Sequence, residues 1–144
     1  MIIPDANLLL YAYDRDCLYH SSAKEWLETV LSGTELVGFT YPVLFAFLRI
    51  ATSGKVYRNP MSVTEAREHT SVWKKRSNTT VLEPHQGYLE EAGKLLIAAG
   101  SSGGNLVIDA QIAAIAVNCK GVVHTTDRDF LRFPDLKTFF PLDA

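Results

Sequence analysis

Apolar and polar positions along the chain alternate between two periods. "MII" at the start is a short apolar run that reads as a strand, and Asn7 to Tyr13 follows as a helical run. "SSAKEWLETVL" reads as a second helix, with Ser22 and Glu25 in capping-box spacing. "ELVGFT" reads as a strand, and Pro42 then opens the strongly apolar helix "PVLFAFLRIAT" as a first-turn proline. "SVTEAREHTSVWKKR" predicts a helix with Ser62 and Glu65 as its capping box, followed by the strand "TTVLE". "GYLEEAGKLLIAA" is a helix stopped by Gly100, and "GSSGGN" is the loop after it. "NLVIDAQIAAIAV" is the next helix, with Asn105 as its cap. "GVVHTT" closes the series as a strand, then "DFLRF" as a helical turn and "LKTFF" as an edge strand.

Strands alternating with helices imply an α/β domain around a mostly parallel sheet. With 144 residues and no linker, repeat or low-complexity tract, the chain reads as a single domain over 1–144. Its apolar share of 47% supplies a core, yet no window reaches ~18 continuous apolar residues, so no membrane span is expected. "MIIPDANLLL" holds an Asp and lacks a basic flank, unlike a signal peptide, and a cytoplasmic protein is the expectation. Cys17 and Cys119 make no CxxC, and His20, His69, His85 and His124 are scattered, which argues against zinc. A net charge of −2 lacks the basic excess of many nucleic-acid binders, so contact with RNA would be local or mediated by cations. Trp26, Trp73, Phe45, Phe47, Phe130 and Phe133 fall at spacings that suit a core or a dimer contact. Lys74 to Arg76 reads as a solvated helix end, and Arg49 as a charge near a helix C-terminus.

Asp109 breaks this pattern. It stands among apolar residues, where an unpaired ionised carboxylate is costly. As the fourth residue of its helix it shares a face with Ile112, Ala113 and Ala116, whose small alanines allow close approach to the sheet. Asp5 ends the first strand and Asp127 the strand "GVVHTT", with Asp129 two residues on. In a parallel sheet these acids emerge on one edge, beyond the carboxyl ends of the strands, where sites gather. Singly, each has an ordinary role: a turn former, a favourable helix-terminus charge, a cap. Jointly, converging carboxylates repel and require protons or cations between them. Oxygen ligands without His or Cys favour Mg²⁺ or Mn²⁺, the ions of phosphoryl chemistry.

At these residues the chain resembles a PIN-domain ribonuclease, specifically the toxin of a prokaryotic VapBC toxin–antitoxin pair. The matching segments are "IPDANLLLYAYD", "FLRIAT", "GGNLVIDAQIAAIAV" and "TTDRDFLRFPDL", in the same order and at similar separations. The resemblance implies a three-layer α/β/α PIN-like domain with a mostly parallel central sheet. It implies Mg²⁺- or Mn²⁺-dependent endoribonuclease activity on structured RNA such as transfer or ribosomal RNA, inhibition by a cognate VapB-type antitoxin, and a homodimer. Carried over, the metal-binding and catalytic acids fall on Asp5, Asp109 and Asp127, with Asp129 as a fourth ligand; Asn7 and Thr126 match polar positions that would orient them. Many members have a Glu just before "FLR", where this chain has Ala46.

Two other readings follow from the same residues. A catalytically weakened module that acts by antitoxin or RNA binding would fit Ala46. A phosphoacceptor domain with one nucleophilic Asp would want a Lys near a late strand end, where "TTDRDF" supplies acids instead.

Overall fold

The apolar tripeptide at the start becomes the middle strand of a five-stranded sheet in the computed structural model, which describes residues 1–143. The strands are β1 (Ile2–Pro4), β2 (Val37–Thr40), β3 (Thr79–Leu82), β4 (Val122–His124) and β5 (Lys137–Phe139), in the order β3-β2-β1-β4-β5. All four pairings are parallel; Ile2 lies opposite both Val37 and Val122. The helices are α1 (Ala6–Tyr11), α2 (His20–Ser32), α3 (Tyr41–Ala51), α4 (Val63–Lys74), α5 (Tyr88–Ala98) and α6 (Leu106–Cys119), and Arg128–Arg132 forms a 3-10 turn. From β1 the chain steps outward to β2 and β3, then returns past β1 to β4 and β5. Right-handed crossovers in opposite directions place α1–α4 on one face and α5–α6 on the other, giving three α/β/α layers.

Several local signals act as read. Ser62 caps α4 by accepting from Glu65 N at 3.0 Å. Gly100 takes a φ of +70° just beyond α5, the left-handed geometry that ends a helix. Others do not. Helix α2 starts at His20, so Ser22 and Glu25 lie inside it and the expected capping box is absent. Thr40 caps α3, Tyr41 is its first residue, and Pro42 is second. Asn105 has helical dihedrals and no side-chain cap bond; the chain enters α6 instead through Gly103 and Gly104, both at positive φ.

The core explains why α6 is apolar nearly all round. Ala110, Ala113, Ala114 and Ala116 are buried together with Ile112, as a helix enclosed on several sides requires. On the other face, Trp73 stacks on Phe39 at 5.6 Å and meets Phe47 edge-on at 4.7 Å. Each such pair contributes about 0.5–1.5 kcal/mol beyond area burial. Phe45, read as core or dimer packing, is 65% exposed and takes no part in this core. Among the described residues no helix is long and apolar enough to cross a membrane.

Candidate metal centre

Strand order reverses between β1 and β4, which are hydrogen-bonded neighbours, and in open parallel sheets ligand sites gather beyond the carboxyl ends of strands at such a reversal. Asp5 follows β1 directly and caps α1: its Oδ1 accepts from Ala6 N at 2.8 Å. Its Oδ2 accepts from the Thr125 hydroxyl at 2.7 Å. At 6% exposure its carboxyl is pushed above the usual carboxylate range, chiefly by burial, with Asp127 adding repulsion and the two hydrogen bonds opposing the rise.

Thr125 ties the two strand ends together. While its hydroxyl donates to Asp5, its Oγ1 accepts from Asp127 N at 2.9 Å. Asp127 in turn caps the 3-10 turn, its Oδ1 accepting from Asp129 N at 2.8 Å. Asp109 arrives from the first turn of α6, whose alanine face lies buried. Its carboxyl is pushed up to about 7, first by burial and then by the charges of Asp5, Asp127 and Asp129.

One carboxylate oxygen each from Asp109, Asp127 and Asp129 lies within 4.8 Å of the others. Asp5 stands outside that group and adjoins it, buried and bonded through Thr125. Thr125, and not Thr126, supplies the hydroxyl that orients an acid here. Strand alternation carries the signal that distinguishes the two threonines: Val123 and Thr125 are both fully buried, as residues two apart on one face should be. Among the described residues, the Asn7 side chain makes no hydrogen bond to these acids. Ala46 is a half-buried methyl on α3 and supplies no donor.

The donor set fits a hard divalent cation. It consists of carboxylates alone, with no His or Cys among the three, and three like charges held this close favour an ion between them.

Comparison with known proteins identifies the family and the fold. Residues 2–136 match the family described as PIN domain. Ribonuclease VapC33 of Mycobacterium tuberculosis is 39% identical over 142 residues, which cover 99% of both chains. The structure of VapBC-1 from nontypeable Haemophilus influenzae superposes with a TM-score of 0.69 at 20% identity, covering 99% of this chain and 100% of that one. That of Mycobacterium tuberculosis VapC20, described as a sarcin-ricin loop cleaving toxin, gives 0.69 at 16% identity, covering 95% and 99%. At these identities the two structures speak for the fold.

Proposed function

The chain belongs to the VapC branch of the PIN-domain family, and from that premise we propose that it is the endoribonuclease toxin of a toxin–antitoxin pair, dependent on Mg²⁺ or Mn²⁺. The observation that carries this reading is the carboxylate group Asp109, Asp127 and Asp129 at the strand-order reversal. These three residues would hold the cation, with Asp5 beside them. When bound, such an ion eases deprotonation of water and offsets negative charge on phosphoryl oxygens.

The remaining work falls to the chain itself. Thr125 fixes the Asp5 carboxylate and the Asp127 backbone through one hydroxyl, so the two strand ends keep a constant separation. The Asp127 cap holds the turn that carries Asp129. Asp109, raised to about 7, carries a proton in part of the metal-free population at neutral pH. A cation would displace that proton, so binding should release protons to buffer.

The substrate class is structured RNA, transfer or ribosomal. A cognate VapB-type antitoxin completes the reading, supported by the likeness to VapC relatives, and a homodimer is part of the same proposal. Ala46 favours a second reading, a module with weakened catalysis that acts by binding antitoxin or RNA. One assay decides between them: the full chain is incubated with total RNA in Mg²⁺, in Mn²⁺ and in EDTA. Cleavage in either metal that EDTA abolishes supports the nuclease. Undiminished cleavage in EDTA would sink the metal mechanism, and intact RNA throughout would favour the binding module.

A further inference from the structure

Arg128 lies between two of the acids in sequence, in "DRD", yet its guanidinium points elsewhere. Its Nη2 donates to Asp143 Oδ2 at 2.5 Å, and its guanidinium carbon sits 3.8 Å from the centroid of the Phe140 ring. Arg132, the other basic residue of the 3-10 turn, donates to the Ala99 carbonyl at 3.0 Å. Both basic side chains of the turn therefore engage protein partners, while among the described residues the charges acting on Asp109 are those of Asp5, Asp127 and Asp129. A guanidinium is charged at every working pH. Placed among Asp109, Asp127 and Asp129, it would neutralise them and compete with a divalent ion for the same oxygens.

We propose that Phe140 and Asp143 hold the Arg128 guanidinium away from the carboxylates that flank it, and so keep the acidic group open to a cation. This rests on the metal reading given above. Arg128 is a positioning residue in this account: its value lies in where its charge is kept. An ion pair and a cation–π contact are each weak at an exposed site, and here both draw the guanidinium to the same place. The segment after β5 thereby acquires a role in the electrostatics of the neighbouring strand ends, at the same carboxyl edge of the sheet.

The test releases the arginine without removing the apolar body beneath it, by Phe140→Leu with Asp143→Asn in the full chain. Mn²⁺ binding measured by calorimetry should weaken about tenfold, and adding Arg128→Gln should restore it to the parent level. Unchanged Mn²⁺ affinity in the released protein overturns the proposal. So does a loss that Arg128→Gln fails to recover, because the segment would then act by shaping the backbone. A second readout needs no metal. In the released protein, Arg128→Gln should lower the melting temperature at low salt, and the loss should fade as salt screens the new pairing. No loss at low salt means that Arg128 never reaches the acids, and overturns the proposal. If the parent protein binds no Mn²⁺ at all, the metal reading fails, while the metal-free melts still decide where Arg128 goes.

Discussion

The two edges of the sheet treat buried polar groups in opposite ways. At the amino-terminal edge, Asn78 lies buried just before β3, and its amide donates to the carbonyls of Val30 at 2.8 Å and Glu35 at 2.9 Å. Next to it, the Thr79 hydroxyl donates to the Trp73 carbonyl at 2.8 Å, and Val37 N donates to Asn78 O at 2.8 Å. These groups are neutral and find their partners within the chain. At the carboxyl edge, Asp109, Asp127 and Asp129 come together beside the buried Asp5, and burial and mutual repulsion raise Asp5 and Asp109. The first arrangement stabilises the free protein, since satisfied buried hydrogen bonds contribute favourably. The second costs stability in the free protein, and on the proposed reading an ion from outside supplies the missing partner.

Breaking each edge in turn should separate activity from stability. The largest effect is expected from Asp109→Asn. It keeps the shape, removes a charged ligand, and should lower RNA cleavage in Mn²⁺ on the order of 100-fold. Cleavage equal to the parent's would remove Asp109 from the site. The opposite break is Asn78→Ala, which leaves the carbonyls of Val30 and Glu35 without their donor. That should cost about 2–3 kcal/mol, read by urea denaturation, with a melting temperature lower by roughly 4–12 °C. Cleavage per folded molecule should stay at the parent level. A large loss of cleavage from Asn78→Ala in fully folded protein would mean that the two edges are coupled.

The carboxyl edge was the more legible of the two in the sequence. A short apolar run followed by Asp gives Asp5 and Asp127 a place at strand ends, and parallel strands put those ends together. The acid in an otherwise apolar helix marked Asp109. Thr125 and Thr126 were harder to separate. Choosing between adjacent residues needs the strand's register, and a strand's end is blurred by a residue or two in sequence. The Arg128 contacts were not legible at all: Phe140 and Asp143 lie twelve and fifteen residues away in a segment without periodicity, and only folding brings them to the turn. Asn78 gave no signal either, since its acceptors are backbone carbonyls of α2 and of the loop before β2, which sequence does not distinguish. Helix starts failed for a related reason. Ser22 and Glu25 have the spacing of a cap, but the turn at Asp14 to Tyr19 leads the chain into α2 three residues earlier, with Tyr19 at the cap position.

Ala46 offers a way to sharpen the comparison by adding to the acidic edge. It lies half-buried on α3, the helix that leaves β2 at this same edge of the sheet. If a longer side chain there reaches the carboxylates, Ala46→Glu should raise Mn²⁺ affinity about fivefold, on the order of 1 kcal/mol. Calorimetry checks it. Unchanged affinity in a folded variant would mean that position 46 serves packing alone.

The smallest expected effect is also the one that distinguishes the two meanings of Asp109, and it lies in stability rather than activity. Its carboxyl is raised from 3.8 to about 7 in the folded chain, so below pH 4 it is neutral in both states and imposes no penalty. As pH rises from about 4 to 7 the unfolded chain ionises first, and the stability that the neutral acid allowed is lost; above about 7 the loss is complete. Asp109→Asn removes this dependence. Without metal the variant should therefore be the more stable at pH 8, by ~1 kcal/mol, a modest figure because solvent screens a half-buried carboxylate. At pH 4 the two proteins should match. His124, lowered to about 4 chiefly by burial, works in the other sense: as pH falls from 6.5 the unfolded chain takes up its proton first, and stability declines. Both proteins carry His124, so the difference between their melting curves isolates Asp109. In Mn²⁺ the gain should shrink or reverse, because the charge that costs stability in the free protein is the charge that holds the ion. A variant less stable than the parent in metal-free buffer at pH 8 would instead make Asp109 a favourable helix-terminus charge.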